Sequence, residues 1–492
     1  MTTTSMAGMR RVLPAAVLCV ALVATGCDFN IVDENAPTVD QLTGNPSKVI
    51  LARAATGIFA NNFLDVGADI QIYTIYGREG YNLLGNDPRE TGESISGPQD
   101  PGGRAGGNWF NKYVAIRTIN TYLLAVNNTT NLAAGEKAGS LGFAQTIKAF
   151  MFLQLAVRSG TYGIPIDVDR PIDADPAPFV SQDSAFAYVS SLFDSAKTNL
   201  QAAGATAFPF PIAPGFASFN TPALFLQFNR ALKARAEVYR ATFVGCGAPC
   251  WTNAQTALGE SFLTRTGLPG SLSLGAYYGY SATANEPQNP ITEPLTSVRY
   301  FVHPSLLGLV QTQADGDPDT RWARKTVTVP VRDLNGVSST IKPVMFNQNT
   351  IDTTASGADT VTASTADLGG DIAIIRNEEL LLLSAEVNLG LGNKAGAIAD
   401  LDSVRTHAGG LAPTTLTIAS TDSAFVTEIL YNRLMSLLWE QGVRWIDARR
   451  YGRLASLPLD RPGDNVFPSM IVPAGECDAR SLDSPCTPPV SP

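Results

Sequence analysis

Tyrosines interspersed with amide and guanidinium side chains are the pattern in this chain most suggestive of chemistry. They are concentrated in two stretches that we predict to be loops, residues 71–86 and 277–280, and Trp322 follows further along. The flat face of an aromatic ring stacks on the apolar face of a sugar ring, while Asn and Arg side chains bond the sugar hydroxyls. The predicted ligand-binding residues are Tyr73, Tyr76, Arg78, Tyr81, Asn82, Asn86, Tyr277, Tyr278, Tyr280 and Trp322. The alternative for each tyrosine is a packing role beneath a loop.

Catalytic and metal-binding patterns are weak by comparison. The chain has only 2 histidines and no GxSxG motif, so a serine hydrolase is not indicated. The acids at Asp315, Asp317 and Asp319 alternate as in a calcium loop, but that loop lacks its glycine and ends on Thr326 in place of a bidentate glutamate. We therefore expect no catalytic residue, no metal and no cofactor. Glycoside hydrolysis needs only two suitably placed carboxylates, so a lipid-anchored glycoside hydrolase stays an alternative.

The N-terminus has the features of a lipoprotein signal. Arg10 and Arg11 precede an apolar run over residues 12–24, which is too short to span a bilayer, and the run ends in Ala-Thr-Gly-Cys27. Small residues before a cysteine form a lipobox, so residues 1–26 are the predicted signal peptide and Cys27 the predicted lipid anchor. Two or three acyl chains would hold the protein on a membrane. The alternative is a plain secretory signal.

Four further cysteines lie in two close pairs, Cys246 with Cys250 and Cys477 with Cys486. In an exported chain this spacing favours two local disulfides. A metal site at the first pair is the alternative, although neither histidine is near it in sequence. The formal net charge of −9 argues against a nucleic-acid partner, which would require a basic surface.

The elements that must position these residues are mostly helices. Apolar residues recur with helical period over 37–60, 109–126, 141–160, 184–202, 222–242 and 251–263. Two more helices follow Ile374, separated by Gly390 and Gly392, and small residues at tetratricopeptide-like spacings suit close helix pairs. Between residues 264 and 371 the helical period is absent, and Gly, Ser, Thr, Asn and Pro dominate. That stretch is too long for a linker and predicts a loop-rich lobe with a few short strands.

The C-terminal block, residues 428–452, carries a set of spaced charged, aromatic and glycine residues: Arg433, Glu440, Gly442, Arg444, Trp445, Asp447, Arg450, Tyr451 and Gly452. In these residues it resembles the signature of the SusD/RagB family, the surface nutrient-binding lipoproteins of some diderm bacteria. Asn432 stands where the family has an acid, so the ion pair expected there is missing. A second resemblance covers the family's third helix and the turn after it, through Lys148, Ala149, Phe150, Tyr162, Gly163 and Pro165. The signature marks a fold, not a catalytic site, and its charges would tie the last helices together.

The resemblance implies a mostly α fold, a tetratricopeptide-like scaffold of helical hairpins with a loop-rich lobe. The expected organisation is a signal peptide (1–26), an acylated tether (27–40), and one domain (41–492) with scaffold parts 41–263 and 372–455, lobe 264–371 and a disulfide-clipped tail 456–492.

The implied function is a lipid-anchored, surface-facing outer-membrane protein that binds oligomeric nutrient and passes it to a SusC-like TonB-dependent transporter, acting as a lid without catalysis. The favoured ligand is an oligosaccharide, with peptide as the alternative. A tetratricopeptide-type scaffold for envelope assembly is the other alternative, and it predicts a helical groove without the long lobe.

Overall fold

A computed structural model describes residues 39–62, 65–171, 173–293, 297–343 and 368–491. The predicted signal peptide and Cys27 lie outside these residues, as does most of the predicted tether. Fourteen α-helices are assigned in the described part of the chain. They are α1 Val39–Thr43, α2 Lys48–Asn62, α3 Val66–Tyr76, α4 Arg104–Asn128, α5 Ala134–Ser159, α6 Gln182–Ala203, α7 Pro222–Phe243, α8 Ala248–Gly259, α9 Thr320–Lys325, α10 Asn377–Gly390, α11 Lys394–His407, α12 Asp422–Leu437, α13 Val443–Arg450 and α14 Ala474–Ala479.

Local sequence sets several of these helix boundaries. Ser181, Thr221 and Thr421 each precede a helix, and each side-chain oxygen accepts a hydrogen bond from the backbone N–H three residues on. Such caps satisfy one of the N–H groups left free at a helix start. Asn393 does the same for α11. Together with Gly392, it makes the tight α10–α11 turn that the sequence predicts.

Helix α5 lies at the centre of the scaffold. With the single 3-10 turn that follows, the stretch Ala134–Tyr162 is long and apolar enough to cross a membrane, yet 83% of its most apolar window is buried inside the protein. Its side chains pack against α4, α6 and α7, including Phe143 and Phe152, which are fully buried. The helix is therefore a core element of the fold.

The strands are short and lie between or beside the helices. They are β1 Gly80–Asn82, β2 Ile164–Pro165, β3 Phe179–Val180, β4 Gly275–Tyr278, β5 Tyr300–Val302, β6 Thr326–Leu334, β7 Val337–Pro343, β8 Ile372–Arg376 and β9 Val490–Ser491. Strands β1 and β5 pair antiparallel, as do β4 with β8 and β6 with β7, and β3 lies between β2 and β9. Most of the strand pairs involve the predicted lobe, which they tie to the scaffold. The mostly α architecture predicted from the sequence is confirmed.

Two local predictions were wrong. The first helix, predicted over 37–60, is divided into α1 and α2 because Asn45 and Pro46 form a turn there. The Asn45 side chain accepts from the backbone N–H of Thr130 at 2.9 Å and so holds that turn against the end of α4. Residues 71–76, predicted as the start of a loop, belong to helix α3 (Val66–Tyr76), in which ten of eleven residues are buried. A helix buried on every side has no amphipathic period to detect.

Candidate functional site

The first tyrosine-rich stretch was predicted to be an open loop, and the structure corrects this. Tyr73 and Tyr76 lie on α3 and are buried. Tyr73 stacks on the ring of Trp445 with 5.1 Å between centroids, and Tyr76 meets the edge of the same ring at 5.3 Å. Burial raises the pKa of both phenols above the usual range. These rings pack α3 against α13, and a ligand-binding role for them stays a prediction.

Arg78 and Tyr81 are also buried, because both are bonded to the C-terminal part of the chain. The Arg78 guanidinium donates to the carbonyl of Ile75 at 3.0 Å and to that of Pro458 at 3.2 Å. The Tyr81 hydroxyl donates to the carboxylate of Asp460 at 2.8 Å. Neither side chain faces solvent as an open-loop residue would.

The second cluster is likewise inside the protein. Tyr277 and Tyr278 belong to β4, which pairs with β8, and both are buried. Tyr280 follows the strand and is half-buried, with its backbone N–H donating to Asp371 at 2.9 Å. Trp322 lies on α9 and is buried as well. Alternating exposure in strand β4 would leave one tyrosine outside, but both faces of this strand are covered.

The end of the first stretch reaches solvent as part of a polar group of side chains. We call this group the polar loop cluster; it consists of Asn82, Asn86, Asp87, Arg89, Glu90 and Arg104. Asn82 is buried, and its amide donates to the Asn86 side-chain oxygen at 2.9 Å and to the Glu90 carboxylate at 2.6 Å. Glu90, 1% exposed, also accepts from the Tyr300 hydroxyl at 2.6 Å and pairs with Arg104 at 2.6 Å. Asn86 itself is exposed. The buried side chains of Asn82 and Glu90 therefore hold the exposed amide of Asn86 in place.

Asp87 and Arg89 extend this surface. The Arg89 guanidinium binds the Asp87 carboxylate through two hydrogen bonds, at 3.0 and 2.8 Å, and Arg104 approaches the same carboxylate at 3.2 Å. Hydrogen bonding from Arg89 lowers the pKa of Asp87 to about 2, so the group is ionised at neutral pH. The Arg89 side chain is 57% exposed. An amide, a carboxylate and a guanidinium thus lie side by side at the surface, a set that can bond hydroxyl groups.

A second polar set adjoins the cluster through β5. The backbone N–H of Leu83 donates to the carbonyl of Arg299 at 2.9 Å. The Arg299 side chain binds Glu293 at 2.7 Å, and Lys342 reaches the same carboxylate at 3.3 Å. The Arg299 side chain is 38% exposed. The polar surface is therefore assembled from three separate parts of the chain.

Sequence reasoning had named only Asn82 and Asn86 of this surface. Asp87, Arg89, Glu90 and Arg104 were missed, although the NDPRE run after the tyrosines was a signal for a polar turn. The hydrogen bond between Glu90 and Tyr300 joins residues 210 positions apart, and no local sequence pattern reveals such a contact.

Tyr73 and Tyr278 line a partly open cavity of about 100 Å³. It lies between α3, α5, α7 and the turn before α13, with Asp69, Gln154 and Gln441 among its polar lining. The two tyrosines therefore share one site, whose volume is small for an oligosaccharide.

Ser305, His303 and Asp460 lie in the order of a hydrolytic triad. The Ser305 hydroxyl is 2.8 Å from Nδ1 of His303, and Nε2 of His303 is 3.0 Å from Asp460. However, Nδ1 also accepts the backbone N–H of Ser305 at 3.1 Å and so caps the 3-10 turn that begins at Pro304. Burial lowers the pKa of His303, and the ring is 2% exposed. We interpret this trio as a structural cap.

The residues of the C-terminal signature form a buried ion network. Arg433 donates to Asp447 at 2.8 Å, and Arg450 donates to the same carboxylate at 2.7 Å. Arg450 also binds Glu386 of α10 at 2.8 Å, and the Tyr451 hydroxyl donates to Glu386 at 2.6 Å. Burial alone would raise the pKa of Asp447, but the two arginines bring it below the usual range. The network joins α10, α12 and α13, as expected for a fold marker.

Within the residues that the structure describes, no group of three or more His, Cys, Asp or Glu side chains is placed to hold a metal ion. The cysteines are joined as Cys246–Cys250 and Cys477–Cys486.

Comparison with known proteins identifies the class. Residues 309–476 match the model of the SusD family. Among solved structures, NanU of B. fragilis is similar at a TM-score of 0.66 and 15% identity, over 94% of this chain and 100% of that one. A SusD superfamily protein of Bacteroides vulgatus is similar at a TM-score of 0.63 and 15% identity, over 88% of this chain and 97% of that one. A protein of the same species, described as a SusD-like carbohydrate binding protein, is similar at a TM-score of 0.55 and 16% identity, over 82% of this chain and 83% of that one. No match was found among curated proteins.

The matched segment contains the signature network, and the shared fold extends over nearly the whole chain. Residues 309–476 thus match the SusD/RagB family by sequence, and nearly the whole chain has the fold of SusD-like proteins. The resemblance drawn from the sequence is thereby confirmed.

Proposed function

We propose that this protein is a lipid-anchored outer-membrane protein, facing the cell surface, that binds an oligomeric nutrient and delivers it to a SusC-like TonB-dependent transporter. It acts as a lid over the transporter and makes or breaks no bond in its cargo. A glycan is the favoured cargo, and peptide is the alternative. The match to the SusD family supports this proposal, as does the fold shared with a solved SusD-like carbohydrate binding protein.

The observation that carries cargo binding is the polar loop cluster. Its exposed groups, Asn86 and Arg89, are held by the buried Asn82 and the half-buried Asp87, so little side-chain freedom is lost when hydroxyls replace water. Arg299 lies beside them and extends the donor surface. Hydrogen bonds to charged groups are the stronger ones, which suits a neutral, hydroxyl-rich ligand.

Acylation at Cys27 supplies the membrane attachment in this proposal. The tethered protein then meets the transporter at a high effective concentration, so a modest cargo affinity in the micromolar to millimolar range suffices. The envelope-assembly scaffold is less well supported, because strands β4 to β7 build a distinct lobe on the helices.

Cargo binding is tested by calorimetry on the mature chain with a panel of oligosaccharides and oligopeptides. We expect an oligosaccharide to bind without being hydrolysed, and the double variant N86A/R89A to bind it about tenfold more weakly or worse. The matched control is N199A/R240A, which removes an amide and a surface guanidinium on α6 and α7 and should bind normally. Cleavage of the sugar, or equal affinity in both double variants, would contradict the proposal.

A further inference from the structure

An exposed apolar face lies on the N-terminal helices. Of the twelve large apolar side chains that are exposed in the described residues, five belong to α1, α2 and α4. They are Val39 (67% exposed), Val49 (60%), Phe110 (45%), Val114 (54%) and Leu124 (49%). Single exposed apolar residues need no explanation, but several on adjoining helices indicate a contact surface.

The residues on α4 follow the spacing of a helix-packing seam. Phe110, Val114, Arg117, Thr121 and Leu124 succeed one another at alternate steps of four and three. This spacing places side chains in one stripe along a helix, as at the contact line of two packed helices. The stripe runs from Phe110 to Leu124, about 21 Å at 1.5 Å per residue. The ring of Phe110 lies against Gly475 of α14, but the rest of the stripe is not covered by another helix of the described chain, since these side chains are exposed or half-exposed.

The exposed faces of α2 and α4 adjoin. The Asn61 amide of α2 lies 3.5 Å from the Thr118 hydroxyl of α4. The residue before each of these, Ala60 on α2 and Arg117 on α4, is exposed. At the other end the Asn128 amide donates to the carbonyl of Thr43 at 2.7 Å, which places α1 beside the end of α4. The apolar side chains of the three helices therefore border a common seam. We name this surface the α1–α2–α4 face.

The position of this face relative to the membrane follows from chain length. Val39, at its edge, lies twelve positions after Cys27. A fully extended chain of that length reaches about 40 Å. If Cys27 is acylated, as proposed above, Val39 at the edge of the α1–α2–α4 face stays within about 40 Å of the bilayer, so the face lies near the end of the protein that is tethered to the membrane.

We propose that the α1–α2–α4 face is the surface by which this protein contacts its transporter. This assignment rests on the proposed function. A protein partner suits the face better than a lipid surface does, because the seam includes Arg117 and Thr121 and has the spacing of helix packing. The loop at residues 167–175, whose Arg170 carbonyl accepts from Arg117 at 3.3 Å, also carries four aspartates that disfavour an anionic bilayer.

The face makes an unsuitable cargo site. Most of its exposed side chains are apolar, and hydroxyl-rich ligands need a concentration of polar groups such as that found at the loop cluster. Cargo and transporter therefore meet different surfaces of the chain. A lid needs this separation, because it must hold its cargo while staying attached.

The test is site-specific photocrosslinking in a diderm host that co-expresses the acylated full chain with the proposed SusC-like transporter, the transporter carrying an epitope tag. A photoreactive phenylalanine analogue replaces Val114 or Leu124 on the face, and Leu307 or Ile418 as controls that are also exposed. We expect a tagged crosslinked product from both face positions, at least about fivefold more abundant than from either control.

A second measurement uses the triple variant F110S/V114S/L124S, which replaces exposed groups and leaves the core unchanged. It should co-purify with the transporter at least about tenfold less than the control triple L307S/L309S/I418S, while both bind the oligosaccharide normally.

Three results would overturn the assignment: crosslinks from the control positions in place of the face, crosslinks from the face to lipid alone, or equal co-purification of the two triples. The first and third leave the proposed delivery intact. Loss of all association between the wild-type chain and the transporter would instead refute the proposed function.

Discussion

Asp447 is the residue whose replacement should most sharply test the role of the signature network. Its carboxylate receives hydrogen bonds from Arg433 at 2.8 Å and Arg450 at 2.7 Å, and both guanidiniums are fully buried. With Glu386 the network contains two positive and two negative side chains, so it is neutral as built. Asp447→Asn keeps the shape but leaves one buried positive charge uncompensated.

The expected cost is that of breaking a buried ion pair, about 3–5 kcal/mol in the free energy of unfolding. At about 2.1 cal/mol/K of unfolding entropy per residue, a folded part of about 450 residues has an entropy near 1 kcal/mol/K. The melting temperature should therefore fall by about 4 °C. Urea unfolding, followed by tryptophan fluorescence, measures the free energy, and calorimetry measures the melting temperature.

Two variants serve as controls. Asp183→Asn removes the acid of a surface pair with Arg240, in which the aspartate side chain is 52% exposed, and should cost less than about 1 kcal/mol. The double variant D447N/R433M also removes the orphaned charge and should regain part of the loss. Two results would refute this reasoning. One is a loss of unfolding free energy in D447N no larger than that in D183N, and the other is a D447N/R433M variant less stable than D447N alone. Either would mean that the balance of buried charges does not stabilise this region.

Two further predictions concern the turn before α13. Burial raises the pKa of Glu79 to about 7, and its carboxylate accepts the backbone N–H groups of Trp439 and Arg444. A raised folded-state pKa means that stability is fully present below the ordinary value near 4.5 and is lost as pH rises through about 7. Urea midpoints measured from pH 5 to 8 should therefore fall less steeply for Glu79→Gln than for wild type, and parallel slopes would contradict this. Gly442 has a φ of +62° and its added Cβ would lie 2.2 Å from Cβ of Tyr73, whereas Gly452, at +64°, has nothing within 4 Å. By calorimetry Gly442→Ala should lower the melting temperature clearly more than Gly452→Ala, which bears only the backbone strain of about 1 kcal/mol, and equal losses would show that the close approach is unimportant.

The helical hairpins were predictable because their signals are local. Helices α6 and α7 show one apolar face, polar residues opposite and a capping Ser or Thr at the start. The signature from Arg433 to Gly452 was likewise readable in one stretch. Which acid each arginine binds was not readable, because Glu386 of α10 lies far from Arg450 in sequence.

The candidate site was predicted less well, for two physical reasons. Helix α3 is buried on nearly every side and has no amphipathic period, so no helical signal marks it in the sequence and its core tyrosines were predicted to lie in a loop. Tyrosine itself is ambiguous, since its ring can pack inside while its hydroxyl bonds to a buried acceptor, as Tyr81 does with Asp460. The polar loop cluster depends on contacts between residues 82–104 and 293–300, which only the fold brings together.

The bonds from Arg78 to the far end of the chain have a consequence for biogenesis. Its guanidinium, fully buried, donates to carbonyls of Pro458 and Asn465, and Tyr81 reaches Asp460 nearby. These acceptors are synthesised nearly four hundred residues after Arg78 itself. The segment that begins the polar loop cluster can therefore reach its final form only after the last part of the polypeptide has been made. A chain stalled or clipped before residue 458 would lack the acceptors that hold this segment in place.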